Sequence, residues 1–165
     1  MPSVIKQQRI VEDAWRHVAD DAELPTGPII VSLARWQREQ ATLRERGEPV
    51  GVRLPNTMDV AELASDLPDL ALIALEFPKF ADGRAYSQAR LLRERHGYQG
   101  EIRATGDVLR DQLFFMARSG FDAFELRADR NLEDALEAFQ EFSERYQPAA
   151  DESLPLYRRG RQKLL

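Results

Sequence analysis

Residues 70–90 read LALIALEFPKFADGRAYSQAR and carry the pattern on which the fold prediction depends. The apolar run 70–75 is continuous, which is typical of a strand buried on both faces in a parallel sheet. Gly83 follows a short turn, and Ala85 and Ala89 then recur at helical spacing. A strand followed by a helix is the repeating unit of an α/β sheet, and such sheets place ligand sites at this kind of turn.

The alternation of strand and helix extends to both sides of this stretch. Strands are predicted at 29–34, 49–54, 70–77, 101–105 and 121–126. The pattern predicts a single α/β domain over residues 28–147. Its sheet is expected to be five-stranded and mainly parallel with helices on both faces, a flavodoxin-like or Rossmann-like open sheet. A partial β/α barrel is the alternative, because a full barrel needs eight such units.

The two ends of the chain are less regular. Residues 1–27 are expected to be irregular, with a possible hairpin between Val4-Ile5 and Ile10-Val11. Residues 148–165 contain two prolines and end in a basic cluster, so a flexible basic tail is expected there.

Composition excludes several kinds of chemistry. The 165 residues include no cysteine, which excludes disulfides, thiol nucleophiles and cysteine-ligated metals, and only two histidines, which lack metal-ligand spacing. We therefore expect no metal site. The net charge of −5 argues against nucleic acid as a partner. The longest apolar run is too short to cross a bilayer, so we expect no membrane partner. The absence of cysteine fits a reducing compartment, so we expect a cytoplasmic location.

The turns after the third and fourth predicted strands hold the candidate ligand site. Its residues are Lys79, Asp82, Gly83, Arg84, Ser87, Arg103, Thr105 and Gly106. Cationic side chains beside the first turn of a helix suit a phosphate, sulfate or carboxylate. Helix capping by Asp82 explains the first turn equally well. Arg35, Arg53 and Arg127 also fall at predicted strand ends and would make that face basic.

No catalytic set can be assigned. The first strand-to-helix turn lacks glycine, so the dinucleotide fingerprint is absent there, and no Walker A sequence exists. Neither histidine falls at a predicted strand end, so no Ser–His–Asp arrangement is suggested. Catalytic residues and cofactor stay unknown, and a flavin-bound oxidoreductase stays open.

Several segments together resemble one bacterial family. They are FPKF at 77–80, DGR at 82–84, YS at 86–87, ARLLR at 89–93, GDVLRDQL at 106–113 and GFDAF at 120–124. The chain is similar there to a proteobacterial domain-of-unknown-function family that is often described as an oxidoreductase. Its members typically lie beside genes for sulfite reductase.

The resemblance implies a role in assimilatory sulfate or sulfite reduction. The first hypothesis is an accessory protein that binds sulfite reductase or a related partner. The alternative is an oxidoreductase or sensor of sulfur metabolism that binds a small anion or nucleotide, with Glu76 or Asp82 as the local acid–base candidates. Whether the protein is an enzyme stays open.

Overall fold

The computed structural model describes residues 2–78, 83–127 and 129–145, with side chains as far as residue 141. This part of the chain forms eight strands: β1 Ser3–Lys6, β2 Arg9–Glu12, β3 Arg16–His17, β4 Ile29–Ser32, β5 Val50–Leu54, β6 Leu72–Phe77, β7 Glu101–Gly106 and β8 Ala123–Phe124. Its α-helices are α1 Leu33–Arg38, α2 Gln40–Glu45, α3 Arg84–Arg90, α4 Leu113–Ser119 and α5 Leu132–Arg145. Short 3₁₀ turns lie at Val60–Leu63, Leu67–Asp69 and Arg110–Gln112, and a π-helical turn at Leu91–Arg95 continues α3.

All eight strands belong to one mixed sheet. Their order is β2-β1-β8-β7-β6-β5-β4-β3. The neighbours from β3 to β8 are parallel, whereas β1 is antiparallel to both β8 and β2. The hairpin β1–β2 turns at Gln7 and Gln8, which both have positive φ angles of 51° and 62°. Two such residues are what the tightest hairpin turn requires.

The expected five-stranded, mainly parallel sheet with helices on both faces is therefore wrong in three respects. Eight strands are present in the described residues, and the antiparallel pairs make the sheet mixed. The strand order from β3 to β8 never reverses, whereas a doubly wound sheet has a reversal point. The buried side chains of all five helices join one large core with alternate residues of the strands. The helices thus cover one face only, here called the outer face.

The sheet is curled into an open half-barrel. This curled shape agrees in outline with the alternative prediction of a partial β/α barrel. Strands β2 and β3 lie at opposite edges of the sheet, yet only residues 13–15 join them. Across a flat sheet seven strand spacings would separate these edges by about 34 Å, whereas the joining segment reaches at most about 14 Å. The two edges must therefore approach each other, and the sheet bends around its inner face.

Alternation along the strands decides which residues point inward. Apolar residues such as Ile73, Leu75 and Val52 face the helices and pack in the main core. On the inner face, Ile30, Leu72 and Ala74 form a small separate apolar cluster. Trp15, from the segment that joins β2 to β3, packs on this small cluster. The remaining inner positions are mostly polar, so the half-barrel encloses a polar face rather than a second large core.

Candidate functional site

The polar part of the inner face begins with a buried ion pair. Arg103 on β7 donates to both carboxylate oxygens of Asp13, at 2.8 and 3.1 Å, and also contacts Glu101 Oε2 at 3.1 Å. Glu101 in turn lies 2.7 Å from Lys6 Nζ on β1. Arg103 is 1% exposed and Asp13 is 5% exposed. Because Asp13 belongs to the segment between β2 and β3, this pair ties that segment across the sheet to β7.

The charge of Arg103 is held by its surroundings. Burial alone would lower the pKa of its guanidinium, but the hydrogen bonds with Asp13 and the charges of Glu101 and Glu125 outweigh burial and raise the pKa. Arg103 is therefore a permanent cation whose donors are engaged by carboxylates. Glu125, which follows β8, lies close enough to Arg103 to contribute to this effect.

A second set of polar and charged side chains lies at the carboxyl ends of the parallel strands. His17 ends β3, Arg53 is the last residue but one of β5, and Glu125 follows β8. His17 Nε2 lies 2.9 and 3.0 Å from the two carboxylate oxygens of Glu125, and Arg53 Nη1 lies 3.2 Å from His17 Nδ1. We call these three residues the rim cluster. The curl of the sheet creates it, since five strand spacings separate β3 from β8, or about 24 Å in a flat sheet.

The contacts within the rim cluster determine which nitrogen of His17 carries the proton. Arg53 has only donors, so Nδ1 must accept its N–H. Nε2 then carries the hydrogen and donates to Glu125. The side chains of His17 and Glu125 are 35% and 27% exposed, so solvent reaches the cluster. This is a neutral imidazole oriented by a carboxylate on one side and an arginine on the other.

Arg53 differs from Arg103 and Lys6, two other cations of the inner face. Besides His17, its guanidinium donates to the backbone oxygen of Ile30 at 3.3 Å. In the described residues no carboxylate lies within ion-pairing distance of Arg53, whereas Arg103 and Lys6 both have one. Arg53 is partly buried. It is therefore a cation that retains capacity for a negatively charged ligand.

Two further polar residues lie on the inner face toward the carboxyl ends of the strands. Glu76 on β6 and Thr105 on β7 are register partners. Thr105 is buried, and its hydroxyl is 3.5 Å from the backbone oxygen of Leu75. Glu76 is partly buried. These two residues extend the polar face from the ion pair of Arg103 toward the open end of the half-barrel.

The residues predicted at the helix turn lie elsewhere. Gly83 precedes α3 and is exposed, as are Arg84 and Ser87 on the first turn of that helix. Helix α3 packs on the outer face through Ala85 and Ala89, so Arg84 and Ser87 lie on the opposite side of the sheet from Arg103. Lys79 and Asp82 lie outside the described residues, as does the basic tail predicted at 148–165.

Gly106 has a structural explanation of its own. Its φ is +92°, and a Cβ at this position would lie 2.6 Å from the backbone oxygen of Phe77. The next residue, Asp107, donates its N–H to that same oxygen at 2.8 Å. A glycine is therefore required for close approach of two chain segments at the carboxyl end of β7.

The rim cluster was not predicted from the sequence. Arg53 is expected at a strand end, whereas no strand is predicted around His17, which in the structure ends β3. The signal that was available is alternation: Arg53 and Glu76 are charged residues at inward positions of otherwise apolar strands, and Arg103 and Glu125 take inward positions on β7 and directly after β8. Such alternation indicates that one face of the sheet is polar.

No group of three or more histidine, aspartate or glutamate side chains within 2–78, 83–127 and 129–145 is arranged to hold a metal ion. Over the same ranges no helix has both the length and the apolar character needed to cross a membrane.

Comparison with known families places part of this site in a matched segment. The model of a family described as "Bacterial protein of unknown function (DUF934)" matches residues 51–157, about two thirds of the 165 residues. The matched segment contains Arg53, Arg103 and Glu125 and begins after Asp13 and His17. No curated protein matches the chain.

Proposed function

The chain belongs to the DUF934 family of bacterial proteins of unknown function, and from this premise we propose that it binds a small oxyanion of sulfur at the rim cluster. The proposal places the protein in assimilatory sulfate or sulfite reduction, as a sensor or oxidoreductase that recognises sulfite, sulfate or an adenylyl sulfate. The observation that carries it is Arg53, a partly buried arginine whose guanidinium faces a histidine nitrogen and a carbonyl oxygen.

The chemistry of Arg53 suits this ligand class. A guanidinium presents paired N–H donors that match two oxygens of a carboxylate, phosphate or sulfate. An oxyanion would replace the contact of the guanidinium with the neutral imidazole by a contact between opposite charges. The location also fits, because ligands of α/β sheets bind at the carboxyl ends of the parallel strands. Arg53 and Glu125 both lie at such ends.

The neighbouring charges favour a small ligand over a large one. Glu125 and Glu76 border the inner face, and their carboxylates would repel a second negative group. We therefore expect Arg53 to accept a single oxyanion more readily than a ligand with two anionic groups. An adenylyl sulfate could present its sulfate in the same way, with the nucleoside directed toward solvent.

Titration calorimetry with sulfite, sulfate and adenylyl sulfate tests this proposal. We expect binding with a dissociation constant of about 1 mM or tighter for at least one of them. Arg53→Gln should weaken it by about tenfold to a hundredfold, the loss expected for a hydrogen bond to a charged group. Arg110→Gln is the matched control, because Arg110 is an exposed arginine paired with Asp134.

Two outcomes would contradict anion binding at the rim cluster. If none of the three ligands binds at millimolar concentration, the rim cluster does not bind an anion of this class. The same conclusion follows if Arg53→Gln binds as tightly as the unaltered protein.

A second candidate function is that of an accessory protein which binds sulfite reductase or a related partner. One surface feature favours it. Phe115 on α4 is 50% exposed, and Leu91, which directly follows α3, is 37% exposed. Helices α3 and α4 pack against each other. Exposed aromatic side chains often anchor protein interfaces.

A pull-down from a native host at moderate salt tests this second candidate. We expect the unaltered protein to recover sulfite reductase, and Phe115→Ser to recover much less of it. Gln37→Ser is the control, because Gln37 is exposed on α1, away from α4. Failure of the unaltered protein to recover sulfite reductase, with both proteins expressed, would count against this role.

A further inference from the structure

We propose that anion binding at the rim cluster is coupled to the uptake of one proton by His17. This inference rests on the proposed function and deepens it, because it states how pH regulates the same site. It implies that the protein binds its oxyanion more tightly as the pH falls through the range in which imidazoles titrate.

The proton arrangement of the ligand-free cluster is the starting point. Arg53 donates to Nδ1 of His17, and Nε2–H donates to Glu125. The imidazole is therefore neutral, and its only lone pair is occupied by the Arg53 donor. Nothing in this arrangement requires a second proton on the ring.

An oxyanion bound at Arg53 would change the hydrogen bonds of His17. The guanidinium N–H that Nδ1 accepts would turn to the anion, and the bare Nδ1 lone pair would then face oxygen lone pairs. Two acceptors facing each other repel. A proton taken from solvent onto Nδ1 converts the nitrogen into a donor to the anion. The resulting imidazolium lies between the anion and the Glu125 carboxylate, which stabilises its charge.

Other charged groups face His17 or share the inner face with it. Glu125 contacts the ring from the segment after β8, and Arg53 contacts it from β5. Glu76 on β6 and Arg103 on β7 lie on the same inner face. None of these groups is an imidazole, and imidazole is the side chain that ordinarily changes charge between about pH 6 and 8. We therefore assign a pH dependence in that range to His17.

Sulfate is the probe for the test, since its own charge is constant over this range. Calorimetry is performed at several values between about pH 6 and 8. We expect the association constant of the unaltered protein to fall by up to about tenfold for each unit by which the pH rises, because one proton is taken up with the anion. At one pH, two buffers of different ionisation enthalpy should yield different heats, because a proton is taken up from the buffer.

The chain offers a matched pair of variants, because it contains only two histidines. His17→Gln keeps a polar side chain beside Arg53 but cannot take up the proton, so its sulfate binding should not depend on pH. His96→Gln should keep the full pH dependence, since His96 lies after the π-helical turn that continues α3 and not on the inner face.

Proton NMR of the two imidazoles in the unaltered protein gives an independent measurement. Saturating sulfate should move the titration of one ring to higher pH and leave the other unchanged.

The outcomes separate the two proposals. Sulfate binding that is independent of pH overturns the proton coupling and leaves anion binding at Arg53 intact. A pH dependence that persists in His17→Gln overturns it as well. Absence of sulfate binding at every pH, with sulfite and adenylyl sulfate also failing to bind, overturns the proposed function together with this inference.

Discussion

Replacing Asp13 by alanine tests whether the buried ion pair with Arg103 holds the half-barrel closed. The change removes two hydrogen bonds, of 2.8 and 3.1 Å, from a guanidinium that is 1% exposed. Loss of one partner of a buried pair costs about 3–5 kcal/mol, because the other charge is left uncompensated. Glu101 still contacts Arg103 at 3.1 Å. We therefore expect the lower end, about 3 kcal/mol of unfolding free energy.

Urea denaturation followed by circular dichroism measures this loss. With a denaturant slope of about 2 kcal/mol per molar urea, a 3 kcal/mol loss lowers the midpoint by about 1.5 M. Asp111→Ala is the control. Asp111 also faces an arginine, Arg110, but at 3.6 Å and with 76% of its side chain exposed. Exposed pairs of this kind contribute little, so the midpoint should not change measurably.

A double variant distinguishes the ion pair from simple packing. Asp13→Leu combined with Arg103→Met replaces both charges by apolar groups of similar size, and such replacements are often neutral or stabilising. We expect it to recover part of the stability that Asp13→Ala loses, because both variants lack the 3.1 Å hydrogen bond that Asp13 Oδ1 accepts from the Trp15 N–H. If Asp13→Ala unfolds at the same urea concentration as the unaltered protein, Arg103 does not depend on Asp13 and the reasoning is refuted.

Three further predictions concern residues outside the rim cluster. Gly106→Ala should lower the free energy of unfolding by about 2–4 kcal/mol, because the new Cβ would lie 2.6 Å from Phe77 O at a φ of +92°. Gly47→Ala, at positive φ in open space, should lower it by only about 1 kcal/mol, and thermal denaturation measures both. Burial raises the pKa of Tyr98, so its hydroxyl should stay protonated in an ultraviolet titration above about pH 10. Because the folded state holds that proton more tightly than the unfolded chain, the free energy of unfolding should fall as the pH rises past about 10. Asn131→Ala removes the cap at the start of α5 and should cost about 1 kcal/mol in urea; no change would mean that the cap is dispensable.

The local elements were largely predictable from the sequence. Continuous or alternating apolar runs located β4 to β8. The cap of α5 is equally local, because the Asn131 side chain accepts a 2.9 Å hydrogen bond from the Asp134 N–H three residues later. These features depend on neighbours within one or two turns of chain. The two-residue strand β3 has no such local signature, because its pairing with β4 and not its own pattern makes it a strand.

The candidate site was less predictable, for a different reason. Arg53 could be placed at a strand end from its own segment. His17 and Glu125 are 108 positions apart, and each is unremarkable in its local sequence. Arg103 was expected to face a ligand, but the structure engages it with Asp13, a residue in a segment that the sequence interpretation left irregular.

Sequence alone indicated strands β4 to β8 and excluded cysteine chemistry, because side-chain periodicity and composition can be read without the tertiary structure. Tertiary structure decided the curl of the sheet and everything that follows from it. A three-residue connection between the two edge strands forces those edges together, since it is far shorter than the width of a flat sheet. That closure, and no pattern along the chain, brings the imidazole of His17 to Glu125 and Arg53.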